Sequence, residues 1–145
     1  EMCIRDRAIS GIQLLVDCDV LQADGGTRTA SITGGYVALH LAILKLLKEK
    51  IIVKNPLKEQ IAAVSMGMVN GMVLMDLDYT EDSNSDSDVN IVMNASQQII
   101  EIQGTAERKG FSAAELLQMV DMAQRTIPMF FQAQQQAIAC AKVNQ

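Results

Sequence analysis

The sequence has no tryptophan, and aromatic residues make up 3% of its 145 positions. The sequence therefore gives little support for a domain that binds RNA by stacking its bases on aromatic side chains. Proline occurs only twice, and together with nine glycines this excludes collagen-like or proline-rich low-complexity structure. The three cysteines are odd in number and far apart, which fits neither a disulfide framework nor a paired-cysteine metal site. Such cysteine usage predicts a reducing, cytoplasmic environment.

Long apolar runs and an excess of positive charge are missing as well. The longest uninterrupted apolar stretches are about five residues, so we expect no transmembrane helix and no membrane partner. Seventeen acidic residues against twelve basic ones give a net charge of −5, which excludes nucleic-acid binding by bulk charge. A polyanion would have to be held at a local site. Hydrophobic residues at 49% and charged residues at 20% are typical of one globular domain.

Hydrophobic patterning in the first half of the chain predicts strands and one long helix. Alternating and β-branched residues predict a strand at 12–21, and apolar residues spaced by four and three predict a helix at 27–50. Two further predicted strands, 61–69 and 72–79, flank Asn70-Gly71, which is the strongest short-range hairpin signal.

The second half continues the same mixture of elements. A second pair of strands is predicted at 89–94 and 99–103, and a capping box at 112–115 opens a C-terminal helix that extends to about residue 143. Pro128 should kink or restart that helix. Strands and helices mix without strict alternation, so the predicted class is α+β with a largely antiparallel sheet.

The turn between the first predicted strand and the first predicted helix reads Asp-Gly-Gly-Thr-Arg-Thr, from Asp24 to Thr29. Its glycines let backbone N–H groups approach an anion, and the helix N-terminus adds partial positive charge. Arg28 offers a two-pronged donor, and the threonine hydroxyls add further donors. Glycine turns are also common as plain connectors, so an anion site and a structural turn both stay open.

Six carboxylates lie within thirteen residues, at Asp76, Asp78, Glu81, Asp82, Asp86 and Asp88. Asp76 and Asp78 are expected on one face of a strand, and 81–88 is expected to be an acidic loop. Hard divalent cations take such oxygen ligands, and Mg²⁺ commonly uses one or two carboxylates plus substrate phosphate. A solvated charged loop is the competing interpretation. An EF-hand at 82–93 fails, because its sixth and twelfth positions are not Gly and Glu.

The stretch from Val16 to Gly34, which contains the Asp-Gly-Gly-Thr-Arg-Thr run, resembles bacterial ribonuclease PH. Members of this family are phosphate-dependent 3′-exoribonucleases that trim tRNA ends. Together with 81–83 (Glu-Asp-Ser), the run distinguishes ribonuclease PH from polynucleotide phosphorylase and the exosome ring subunits. Further similar segments follow in the same order, at 54–56, 62–65, 69–71, 76–79, 81–83, 88–90 and 101–107.

The resemblance implies a site for phosphorolysis. Gly26, Thr27 and Arg28 correspond to the family's segment that binds inorganic phosphate, which is the co-substrate. Asp82 and Asp88 correspond to the paired aspartates that support Mg²⁺ binding and catalysis. Phosphate would attack the 3′-terminal phosphodiester and release a nucleoside 5′-diphosphate, with Asp82 as a possible general acid for the departing oxygen.

The resemblance also implies a fold and an assembly. The expected fold is the ribonuclease PH type, a mixed sheet packed with helices, and the family forms a homohexameric ring, a trimer of dimers. Its substrates are tRNA precursors and other RNA 3′ ends. In the family the motif at Asp17 lies well into the chain, whereas 16 residues precede it here. We therefore expect a non-native leader at 1–7 and, at 8–145, one domain truncated on its N-terminal side.

Two alternatives to an enzyme remain open. One is a non-catalytic ring or scaffold subunit that keeps the fold without the chemistry, although degenerate family members tend to lose the phosphate-binding arginine and the aspartates. The other is a Ca²⁺-binding acidic module. We expect the truncated chain on its own to be inactive or nearly so.

Overall fold

The computed structural model describes Ile4 and residues 9–143, which form one four-stranded antiparallel sheet with two long helices and one short helix. The strand order is β2-β1-β3-β4. The predicted leader at 1–7 lies outside the described residues except for Ile4, which forms an isolated bridge with Leu57. The elements are α1 (Thr27–Lys48), β1 (Ile61–Val69), β2 (Met72–Met75), α2 (Tyr79–Asn84), β3 (Ser87–Asn94), β4 (Ile99–Ala106) and α3 (Ala113–Val143).

The predicted Asn70-Gly71 hairpin is confirmed. The two residues have positive φ angles of 53° and 76°, as the tight turn between β1 and β2 requires. β2 is shorter than predicted and ends at Met75, because Asp76 has a φ of 54° and leaves the extended conformation. Asp78 then caps the next helix. The prediction that Asp76 and Asp78 share one strand face is therefore wrong.

The acidic segment 81–88 was predicted to be a loop, and most of it folds into regular structure. Its first half lies in α2, which begins with a capping box formed by Asp78 and Glu81. The Glu81 N–H donates to Asp78 Oδ1 at 2.8 Å, and the Asp78 N–H donates to Glu81 Oε2 at 3.1 Å. β3 begins at Ser87. Residues 82–93 therefore do not form a calcium-binding loop.

One face of the sheet is apolar and packs on α3. Alternate residues of neighbouring strands project to the same face, so the apolar positions of β1 and β3 form a single layer. α3 is continuous across Pro128, where the sequence left a restart open, because Ile127 and Phe131 on either side pack into this core. The buried cluster comprises Ala62, Val64, Met66, Met68, Val89, Ile91, Met93, Met119, Ala123, Ile127 and Phe131.

Side chains of α1 and α3 form hydrogen bonds with the backbone groups of β1 that β2 does not reach. The Thr33 hydroxyl accepts from the Ala63 N–H at 3.0 Å and donates to the Ala63 carbonyl at 3.2 Å. The buried Gln134 side chain donates to the Ile61 carbonyl at 2.9 Å and to the Thr33 carbonyl at 2.8 Å. These contacts fix α1 beside β1, since buried backbone groups need partners.

The predicted helix at 27–50 is confirmed as α1, and this helix is more apolar on average than its short apolar runs predict. By length and composition alone α1 could cross a membrane. The apolar runs are short because isolated polar residues interrupt them, but the average hydropathy of the helix stays high, and Lys45 and Lys48 lie in its last turn. In the structure α1 packs against β1 and α3.

The predicted strand at 12–21 is not observed. These residues have no regular secondary structure, and Leu15 and Leu21 are 87% and 95% exposed. The segment passes along α1, where a Cβ on Gly35 would lie 3.4 Å from Val16 Cγ1. A β pattern becomes a strand only when a neighbouring strand completes its hydrogen bonds, and no described strand lies beside it.

The α3 core can be tested with two substitutions on one helix. Ile127→Ala, at a fully buried position, should lower the free energy of unfolding by about 2–5 kcal/mol because it leaves a cavity. Leu117→Ala, at a position that is 68% exposed, should change it by no more than about 0.5 kcal/mol. Urea unfolding followed by circular dichroism measures both. Equal effects would contradict the described packing.

Candidate active site

The glycine turn before α1 docks against the segment that leads into α2. A Cβ on Gly25 would lie only 2.0 Å from the Leu77 carbonyl oxygen, so the two backbones touch. Asp24 Oδ1 accepts from the Gly25 N–H at 3.1 Å and from the Tyr79 N–H. These contacts join two motifs that are more than fifty residues apart in the chain.

The N-terminus of α1 is not closed by a side-chain cap. Gly26 is the N-cap residue, has a left-handed φ of 69°, and makes no side-chain capping hydrogen bond. The Thr29 hydroxyl donates to the Gly26 carbonyl at 2.9 Å and so stabilises the turn. The amides of Thr27 and Arg28 follow at the positive end of the helix dipole. The predicted phosphate-binding residues Gly26, Thr27 and Arg28 therefore form the N-cap and the first two positions of α1.

Arg108 closes the other end of α2. Its Nη2 donates to the Ser83 carbonyl at 2.8 Å, and its Nη1 donates to the Asn84 carbonyl at 3.3 Å. A cation at the carbonyl end of a helix is favourable. With its N-terminus capped by Asp78, this short helix holds Asp82 near Asp88, at the beginning of β3.

The second face of the sheet carries polar residues. Because the apolar residues of β1 and β3 face α3, the alternate positions face the opposite side. The strand register then aligns Asp88 with Gly67 of β1 and with Thr105 of β4, and one pair further along it aligns Asn90 with Gln103. The N-terminal turn of α1 lies over this face, since a Cβ on Gly26 would lie 2.8 Å from Ser65 Oγ.

Asp88 is half-buried, and its pKa lies above the ordinary value. Burial is the largest cause, followed by repulsion from the carboxylates of Asp82 and Glu107. Two groups lower the pKa: the Asn90 amide, which donates to Asp88 Oδ1 at 3.3 Å, and the positive charge of Arg28. The sequence-predicted residues Arg28, Asp82 and Asp88 therefore lie close enough for their charges to interact.

Arg28 also has a partner that the sequence did not suggest. Its Nη2 lies 2.7 Å from Glu101 Oε1, and the two side chains are 44% and 45% exposed. Glu101 and Glu107 both lie in a segment noted for its resemblance, but opposite charges 73 positions apart cannot be paired without the topology. Glu107 was likewise not predicted as a site residue, and its charge raises the pKa of Asp88.

The carboxylates of Asp82 and Asp88 could hold a cation whose remaining ligands come from a substrate and water. In the part of the chain that the structure describes, no group of three or more His, Cys, Asp or Glu side chains could hold a metal ion. Asp82 and Asp88 supply two mutually repelling carboxylates, and Mg²⁺ typically takes one or two carboxylates and completes its shell with substrate phosphate and water. The residues therefore fit Mg²⁺ only as such a shared site.

Residues 59–126 match the 3′ exoribonuclease family, domain 2. The chain is 60% identical to a ribonuclease PH from Neisseria meningitidis serogroup B over 129 residues, which are 89% of the chain and 53% of the relative. It is 55% identical to a ribonuclease PH from Synechococcus over 135 residues, which are 91% of the chain and 55% of the relative.

The resemblance to ribonuclease PH is thus confirmed. The chain spans about half the length of the curated relatives it matches. The crystal structure of rice Rrp46 superposes with a TM-score of 0.66 at 17% identity, covering 82% of this chain and 51% of that one. At this identity the match supports the fold alone, and it agrees with the predicted α+β class of the ribonuclease PH type.

The conformation of the glycine turn gives a stability test. Gly26→Ala should lower the free energy of unfolding by about 1 kcal/mol or more, because φ is positive and the new Cβ would lie 2.8 Å from Ser65 Oγ. Gly34→Ala, inside α1 with nothing within 4 Å, should raise it by about 0.5–1 kcal/mol. Urea unfolding measures both changes. A Gly26→Ala protein as stable as the parent would contradict the described turn.

The proximity of Asp82 to Asp88 gives a titration test. Asp82→Asn removes a repelling charge and should bring the pKa of Asp88 closer to its ordinary value. Asp121→Asn, at an exposed carboxylate paired with Arg125 on α3, should leave it unchanged. The side-chain carboxyl ¹³C shift of Asp88, followed against pH by NMR, reports this pKa. An unchanged value in Asp82→Asn would show that the two carboxylates are not neighbours.

Proposed function

We propose that this chain carries the phosphate and metal sites of a phosphorolytic 3′-to-5′ exoribonuclease that trims the 3′ ends of tRNA precursors and other RNA. One arrangement carries the proposal: Gly25 packs on the Leu77 carbonyl, which brings the first turn of α1, with Arg28, beside α2, with Asp82, and both charges act on Asp88 of β3. The proposed anion-binding turn and the carboxylates of Asp82 and Asp88 therefore lie on the same side of the molecule. The identity of the chain to proteins named ribonuclease PH supports the same function.

Inorganic phosphate would bind at the N-terminus of α1. The backbone amides of Thr27 and Arg28, the Thr27 hydroxyl and the Arg28 guanidinium would hold the phosphate oxygens. Gly26, which has no side chain, allows the backbone to approach the phosphate. Two anions, the attacking phosphate and the RNA phosphodiester, must meet in this reaction. Positive charge fixed at the turn lowers their repulsion and orients the attacking oxygen.

Asp82 and Asp88 would hold Mg²⁺, and bound cation charge would stabilise the negative charge on the reacting phosphoryl group. Burial and, after it, repulsion from Asp82 and Glu107 raise the pKa of Asp88, and a bound cation would offset the repulsion between Asp82 and Asp88. The new bond forms between a phosphate oxygen and the terminal phosphorus, and the bond from that phosphorus to the 3′-oxygen breaks. That oxygen then takes up a proton; Asp82 is the proposed donor, in a protonated form that leaves Asp88 as the carboxylate that would hold the cation.

The assembly and location are part of the same proposal. A net charge of −5 gives the single chain no general attraction for RNA, so basic residues of several copies would have to gather at one opening to guide the substrate. A homohexameric ring built as a trimer of dimers would supply them. The odd number and wide spacing of the three cysteines support a reducing, cytoplasmic location.

The decisive assay measures nucleoside 5′-diphosphate release from a tRNA with a 3′ extension, in a full-length protein that contains these 145 residues. Release should require inorganic phosphate, and Arg28→Ala should lower kcat/KM by about 10²-fold or more because it removes a donor from the attacking anion. Arg125→Ala, at an exposed ion pair on α3, is the matched control and should retain full activity.

A full-length protein with no phosphate-dependent release would favour the non-catalytic scaffold subunit and contradict the enzyme proposal. The 145-residue chain assayed alone should show little or no turnover, and robust turnover would overturn that expectation.

A further inference from the structure

The Arg28 guanidinium is held by Glu101, which lies outside the motif that contains Arg28. Arg28 Nη2 lies 2.7 Å from Glu101 Oε1, and in the part of the chain that the structure describes Arg28 makes no other side-chain hydrogen bond. Glu101 lies on β4 opposite Val92 of β3, on the same face of the sheet as Asp88. The tether therefore connects the turn before α1 to the strand farthest from it.

The geometry points to Glu101 as a positioning residue for phosphate binding, an inference that rests on the proposed function. A guanidinium has five N–H donors in a fixed plane, and a single carboxylate oxygen occupies only one side of it. The remaining donors of Arg28 stay available to an anion at the α1 N-terminus. Because β4 is part of the sheet, Glu101 gives the flexible arginine side chain a rigid reference point.

Stability alone does not account for this ion pair. Both side chains are nearly half exposed, and exposed ion pairs contribute little to folding. A long arginine side chain that is free in solution loses rotamer freedom when it closes on a ligand, which weakens binding. A side chain already held in place by Glu101 has lost that freedom before the anion arrives.

Glu101 has a second, opposing effect, because its negative charge repels an incoming phosphate. The two effects can be separated by substitution. Glu101→Gln removes the charge but keeps an oxygen that accepts from Arg28, whereas Glu101→Ala removes both the charge and the acceptor. Neither change disturbs the core, since Glu101 is exposed.

The test measures the Kd of inorganic phosphate for the full chain by isothermal titration calorimetry. Glu101→Ala should weaken binding by about three- to tenfold, the cost of ordering one rotamer-rich side chain. Glu101→Gln should recover most of the affinity, which a merely destabilised fold would not explain. Asp121→Ala, which removes an exposed carboxylate from the Asp121–Arg125 pair on α3, is the matched control and should bind like the parent.

Three results would overturn the inference, and they differ in what else they affect. Tighter binding in both Glu101 variants would mean that Glu101 acts only by repulsion. Unchanged binding in both variants, with binding still lost in Arg28→Ala, would remove the role of Glu101 and leave the proposed function intact. A parent chain that binds no phosphate would overturn the proposed phosphate site together with this inference.

Discussion

The close contact between the glycine turn and the entry to α2 is the constraint on which the site depends. Gly25 lies against the Leu77 carbonyl, and the Asp24 carboxylate accepts from the Tyr79 N–H. Only a residue without a side chain fits at Gly25, because a Cβ there would lie 2.0 Å from a backbone oxygen. Without this contact the positive end of α1 and the carboxylates that follow β2 would be separate surface features.

Because side chains alternate along each strand, the two faces of the sheet have different roles. One face packs its apolar residues on α3 and supplies the stability of the fold. The other presents Asp88, Asn90 and Glu101 beneath the N-terminus of α1. Burial there raises the pKa of Asp88, so this face gives up some stability in order to hold charged groups close together.

Local chemistry made part of this structure predictable. The Asn70-Gly71 turn and the apolar spacing of α1 act through neighbouring residues, and both were confirmed. The segment 12–21 has a strand pattern but no strand beside it, and Asp76 leaves β2 through its own backbone conformation. Motif resemblance indicated Arg28, Asp82 and Asp88, whereas the contact of Arg28 with Glu101 depends on the order of the strands.

The central claim is that a metal held by Asp82 and Asp88 lies beside the turn that begins α1. Paramagnetic relaxation tests this directly, with Mn²⁺ in place of Mg²⁺ and the amide resonances of the isotope-labelled chain as the readout. We expect sub-stoichiometric Mn²⁺ to broaden the amides of Thr27 and Arg28 together with those of the two aspartates, while the amide of Gln135, which contacts Gln60 at the opposite end of β1, is less affected. Broadening confined to the aspartates, with the turn unaffected, would contradict the shared site.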